Sequence, residues 1–184
     1  MVSMATSCRA VGRFGRHDGA VNPGRVVTPA ARAFLAGARR AILATVAPDG
    51  RPRLVPVCFA LAPDDDAHGR PILYTPLDEK PKRVSDPHQL ARVRDLLVRP
   101  DVTLLVDRWD EDWQHLAWVR LDGTAALVEP DASQHHEHAA AVAALRSKYP
   151  QYARQDLEGR PLIRVVVARA RAWQAHEERP SSDE

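Results

Sequence analysis

The sequence predicts a mainly β domain of the α+β kind: a small closed or split barrel of about six strands with peripheral helices. Three observations carry this reading. β-rich runs recur at residues 41–61, 72–75, 101–109, 115–128 and 162–173, most of them joined by hairpin-like turns. Helix-forming segments occupy three separate places and do not alternate with strands, which excludes a doubly wound sheet. No repeat of fixed period is present, so a solenoid or propeller is excluded as well.

The elements follow in order. Thr28-Pro29 pairs an N-cap residue with proline at the first helical position, predicting a helix over about residues 29–39 that brings Ala33, Phe34 and Leu35 near the core. Two β runs then flank Pro48-Asp49-Gly50, a turn in which glycine supplies positive φ. Pro52 and Pro56 interrupt the second run. Proline cannot donate to a ladder, so Pro56 marks an edge, a bulge, or a place where the neighbour is not a strand. Residues 63–71 form a loop, and residues 72–75 a third strand. Asp86-Pro87 opens a second helix with an apolar stripe of Leu90, Val93, Leu96 and Leu97, and with Arg92, Arg94 and Arg99 opposite. Pro100 ends it, and residues 101–109 read as a buried strand. A long β segment at 115–128 is interrupted at Asp122-Gly123, and an Ala-rich helix fills 131–148. In the last strand, 162–173, period-2 alternation makes Arg164, Arg169 and Arg171 exposed or ligand-facing.

Composition narrows the function classes. At 184 residues the chain is long enough for one real core, and 45% hydrophobic with 27% charged residues is the balance of a globular domain. The expected layout is an irregular tail over 1–27, the barrel over 28–175 and a short tail over 176–184. A net charge of +2 argues against a broad nucleic-acid footprint. Cys8 and Cys58 are isolated, so neither a disulfide framework nor a zinc knuckle is indicated. No apolar window approaches the ~18 residues a membrane span needs. Residues 1–25 lack a signal-peptide core, so the cytoplasm is the expected compartment.

Catalytic motifs are missing: there is no G-x-S-x-G elbow, Walker loop, G-x-G-x-x-G or H-E-x-x-H. His135 and His138 share a helical face, but no further ligands complete a metal site, and a solvated polar face explains them. Asp107, Asp110, Glu111 and Asp112 surround Trp109 and Trp113 after a strand end, where a solvated turn is the plain explanation. Trp109, Trp113, Trp118 and Trp173 suit a groove for a planar ring, a subunit interface, or the core. The basic residues carry more chemistry. Lys80, Lys82 and Arg83 follow the strand-end hydroxyl of Thr75, and Arg92 lies on the next helix, an arrangement that could hold a phosphate through charge-assisted bonds.

In order along the chain, ILATVAPDGRPRLVPVCFAL, ILYT, the basic segment DEKPKR, RVRDLLVRPDVTLLVD and VDRWDEDWQHLAWVRLDGTA resemble the pyridoxamine 5'-phosphate oxidase-like split-barrel family. The similarity runs from about residue 28 to 173 and is greatest to the branch of probable coenzyme F-420 (deazaflavin)-dependent oxidoreductases. It implies a split barrel, a homodimer with cofactor sites at its interface, and a small-molecule substrate. It also implies that the second strand (Arg53, Val55, Pro56, Val57) runs along the cofactor through its backbone. The phosphate would be held by Thr75 with basic residues, either Arg92 or the Lys80, Lys82 and Arg83 group as the main clamp; Trp109 and Trp113 are, by residue type, the candidates to contact the cofactor ring. Where many members carry Asn three residues after a lysine, this chain has Asp95 after Arg92, which keeps the cation and loses an amide donor. The expected activity is hydride transfer with coenzyme F-420. FMN in the same fold, or non-catalytic binding of a flavin, deazaflavin or haem, are the alternatives.

Overall fold

The computed structural model describes residues 26–78 and 86–175. Helix α1 (Pro29–Gly37) starts as predicted, with the Thr28 hydroxyl accepting from the Ala31 N–H at 3.2 Å. It turns Ala31 and Leu35 into the core with Phe34 packed beside them, while Ala33 faces outward, contrary to the sequence reading. Strands β1 (Ala41–Val46) and β2 (Pro52–Val57) form the expected hairpin, and Gly50 sits in its turn at φ 85°. After β2 come β3 (Ala60–Leu61) and β4 (Ile72–Pro76), then a 3-10 turn (Pro87–Gln89) and helix α2 (Ala91–Val98). Strands β5 (Asp101–Arg108) and β6 (Ala117–Val128), helix α3 (His135–Lys148) and strand β7 (Leu162–Gln174) complete the chain.

Seven strands form one antiparallel sheet in the order β2-β1-β5-β6-β7-β4-β3, curled into a split barrel. The seventh strand arises because the predicted run 52–61 breaks at Cys58-Phe59. β2 stays on one edge, while β3 joins the opposite edge beside β4. Phe59 is fully buried, and its backbone bonds to a side chain instead of a strand. The Tyr149 hydroxyl accepts from its N–H at 3.0 Å and donates to its carbonyl at 2.9 Å. Because β2 is paired on one side only, Pro52 and Pro56 are tolerated there. The Asp122-Gly123 interruption is a bulge within a continuous β6: Asp122 pairs with Arg169 and Gly123 with Val167, leaving Ala168 without an opposite.

Two cores flank the sheet. The first fills the barrel with Leu43, Leu73, Leu104, Leu121, Ile163 and their neighbours, and α2 plugs it with Leu90, Val93 and Leu96. The second packs α3 against β3, β4 and the start of β7. Leu73 and Ile163 therefore face one core while Tyr74 and Leu162 face the other, which is why these strands read as unbroken apolar runs. Leu97, placed by sequence on the apolar stripe, is 62% exposed, whereas Asp95 is buried. No helix among the described residues is long and apolar enough to cross a membrane.

The α3 end holds a desolvated lysine. Lys148 Nζ donates to the Leu35 carbonyl at 3.0 Å and lies 3.8 Å from the centre of the Phe59 ring. Burial, reinforced by the Arg39 cation, brings its pKa down to about 8, against an opposing pull from Cys58. Folding thus disfavours the charged ammonium, and stability rises as pH climbs from about 8 through the unfolded value of 10.5. Lys148→Met is expected to stabilise the protein at pH 7 by on the order of 1 kcal/mol, a figure reduced for half exposure. Denaturant melts across pH should show the difference closing by about pH 10. A less stable variant at pH 7 would mean that the ring contact and the Leu35 bond outweigh the cost of burial.

Candidate functional site

Two of the expected residues, Thr75 near the end of β4 and Arg92 in the first turn of α2, are enclosed. Thr75, the fourth residue of β4, is only 2% exposed and pairs with Ile163 of β7. Its hydroxyl has no hydrogen-bond partner among the described residues. Asp78, three residues on, is 5% exposed and accepts from the Tyr152 hydroxyl at 3.1 Å. Arg92 faces this carboxylate from α2. Burial pulls the guanidinium below its ordinary range and the Asp78 charge opposes that pull. The Arg92 Nε–H is enclosed and likewise has no partner among the described residues. Leaving a buried polar group unsatisfied costs about 1–3 kcal/mol, so Thr75 Oγ1 and Arg92 Nε are candidates to meet a polar ligand.

One turn further along α2, Asp95 is 2% exposed. Its Oδ2 accepts from Thr45 Oγ1 at 2.9 Å and from Arg53 Nε at 2.8 Å. Arg53, expected beside the cofactor, therefore spends its Nε–H on a carboxylate of its own chain. Val57 is buried and Val55 half-buried in the barrel core, while Pro56 points out, so β2 offers its outer edge and not its valine side chains.

The other expected residues divide in two groups. Lys80, Lys82 and Arg83 lie outside the described residues. Trp109 and Trp113 stand on the loop between β5 and β6, 72% and 70% exposed. Thr75 shares a row with Ile163 and Leu127, whereas this loop adjoins Ala117 at the other end of β6. Ten residues of strand separate the two ends, roughly 30 Å at about 3.3 Å per residue. Within one chain the tryptophan loop and Thr75 are far apart. None of the four tryptophans is in the buried core; Trp118 and Trp173 are cross-strand partners on the outward face of the sheet.

Nearby, a cleft of about 390 Å³ is lined by Asp86, Pro87, His88, Glu129, Asp156 and Arg160. His88 bridges Asp86 and Glu129, each at 3.0 Å, and the bond to Glu129 followed by that to Asp86 raises its pKa. His138, read from sequence as part of a solvated face, is instead 4% exposed with Nε2 2.8 Å from the Arg160 carbonyl. Among the described residues no three His, Cys, Asp or Glu side chains gather as metal ligands. The sequence did flag Asp95, but as the loss of an amide. The signal for its buried role is its position three residues after Arg92 and next to Leu96, both inward-facing.

A family model described as pyridoxamine 5'-phosphate oxidase matches residues 27–175. The chain belongs to the pyridoxamine 5'-phosphate oxidase family. No match was found among curated proteins. Solved structures share the family fold at low identity. The conserved hypothetical protein Rv2991 from Mycobacterium tuberculosis is 22% identical with a TM-score of 0.59, over 86% of this chain and 96% of its own. HutZ, a heme storage protein from Vibrio cholerae, is 17% identical with a TM-score of 0.55, over 82% and 94%. An F-420 reductase is 18% identical with a TM-score of 0.51, over 76% and 94%. At these identities the likeness is one of fold.

Proposed function

We propose that this protein is a deazaflavin-dependent oxidoreductase that uses coenzyme F-420 for hydride transfer to a small organic substrate. The observation that carries this reading is that two enclosed polar atoms, Thr75 Oγ1 and Arg92 Nε, have no hydrogen-bond partner among the described residues of a family barrel. Both groups are donors, which suits an anionic oxygen, and a cofactor phosphate supplies one. The similarity to an F-420 reductase supports the choice of cofactor. Lys80, Lys82 and Arg83, outside the described residues, follow Thr75 in sequence and are the further cations that the reading assigns to the anion.

When bound, the deazaflavin accepts or delivers hydride, so this chain needs no catalytic triad. Its residues would bind and orient the group. Thr75 and Arg92 hold the phosphate, the free edge of β2 lies along the ring, and the barrel plug of Leu90, Val93 and Leu96 keeps water from the inner side. The working unit in this reading is a homodimer. Leu54, Leu105 and Trp173 are exposed on the outward face of the sheet, an apolar surface suited to a second copy. A partner copy is also what would bring Trp109 and Trp113 to a cofactor site, given their distance from Thr75 in their own chain.

The test is titration of the purified protein with coenzyme F-420 and, separately, with FMN, read by fluorescence quenching and by melting temperature. Quenching and a melting shift with F-420, followed by hydride transfer to an acceptor, are the expected result. A protein that is yellow as isolated, with a flavin spectrum, would assign FMN in the same site. Neither cofactor binding would end the reading. The similarity to HutZ makes haem the third ligand to try, and tight binding without turnover would make the protein a carrier.

A further inference from the structure

Asp95 sits where three elements converge on a single oxygen. Its Oδ2 receives Thr45 Oγ1 from β1 and Arg53 Nε from β2, while Asp95 itself belongs to α2. The carboxylate is 2% exposed, whereas the Arg53 side chain is 42% exposed, so the pair is rooted in the core and its cation reaches the rim. Asp95 follows Arg92 by three residues, and side chains three apart on a helix are neighbours at about 5–6 Å between Cβ atoms. Arg53 is therefore within reach of the anion position that Arg92 marks, but is held back from it. Along this face of α2, Arg53 pairs with Asp95 and Arg92 faces Asp78.

We propose that Asp95 is a positioning residue with two linked effects: it withdraws Arg53 from the anion site, and it uses Arg53 to lock the edge strand β2 onto α2. This rests on the reading of Thr75 and Arg92 as an anion site. An arginine free at the rim would bind a phosphate strongly but leave the β2 edge held only by its ladder to β1 and the burial of Val55 and Val57. With Asp95 present, the edge and Arg92 are referenced to the same helix. Affinity for the phosphate is given up in return for a fixed relation between the two parts of the cofactor site.

Asp95→Asn keeps the shape and an acceptor for Thr45 but removes the charge that holds Arg53. The full chain is titrated with coenzyme F-420 and with FMN, and amide hydrogen exchange is followed over residues 53–57. In the variant, whichever cofactor the wild type binds should bind about tenfold more tightly, the worth of one modest charge-assisted contact. Exchange over 53–57 should quicken at the same time. The double variant Asp95→Asn/Arg53→Gln should return to within about threefold of wild-type affinity, because Arg53 is not a wild-type contact. Unchanged or weaker binding in Asp95→Asn, tightening that persists in the double variant, or loss of binding in the double variant would each overturn the proposal. Unaltered exchange over 53–57 would overturn the lock. If the wild type binds neither cofactor, the anion-site reading itself fails. If it binds and only the variants disagree, the failure belongs to Asp95 alone.

Discussion

Gly123→Ala is expected to destabilise the protein by about 3 kcal/mol or more, a cost at the upper end for overpacked sites. A Cβ at this position would lie 2.3 Å from the Val166 carbonyl oxygen, 3.0 Å from its carbonyl carbon and 3.2 Å from Val165 Cγ1. The first two atoms are backbone of the neighbouring strand, so no side-chain rotation relieves the overlap. β6 and β7 would have to separate at the bulge, and both are central strands of the sheet. Relief by sliding is also blocked, because a one-residue slip would send Leu121 and Val119 out of the barrel. Urea melts of wild type and variant provide the measurement. A loss below about 1 kcal/mol would show that the bulge at Ala168 yields more readily than a packed ladder should.

Arg92→Ala is expected to weaken cofactor binding by about 10- to 100-fold, the worth of one charge-assisted contact of about 1.5–3 kcal/mol. The free protein should respond differently. Burial already disfavours the Arg92 cation, and its Nε–H satisfies no described acceptor, so removing it takes away little that stabilises the unliganded fold. Asp78 keeps the Tyr152 hydroxyl as a donor. The unliganded melting temperature should therefore move by only a degree or two, while the cofactor-induced shift shrinks. A variant with normal affinity and a large drop in unliganded stability would reverse the assignment and make Arg92 a structural residue. Lys82→Ala, tested in parallel, apportions the phosphate between α2 and the basic segment; a fall in affinity with Lys82→Ala alone would place the clamp in that segment.

Helix α2 shows how far local pattern reaches and where it stops. Spacing alone selects Leu90, Val93 and Leu96, and these do plug the barrel. It also selects Leu97, which is exposed, and passes over Asp95, which is buried. The helix is rotated relative to its hydrophobic pattern so that Arg92 and Asp95 turn inward. A hydropathy pattern cannot foresee this, because each polar group becomes tolerable only through a partner on another element: Thr45 and Arg53 for Asp95, Asp78 for Arg92. The β2–β3 break has the same origin. Nothing in VPVCFAL announces it, since the Phe59 backbone is satisfied by Tyr149, ninety residues away in the chain.

By itself, the sequence determined the elements and their order: the Thr28 cap, the Gly50 turn, the period-2 runs, the proline-marked edge strand and the family they resemble together. These are local matters of dihedral preference and periodicity, and each is written in consecutive residues. Only the tertiary structure decided which edge each strand takes, that Arg53 answers to Asp95, and that Trp109 and Trp113 stand far from Thr75 in their own chain. Those outcomes depend on charge, burial and strand register between residues distant in sequence, and such pairings have free energies only once the barrel has closed around them.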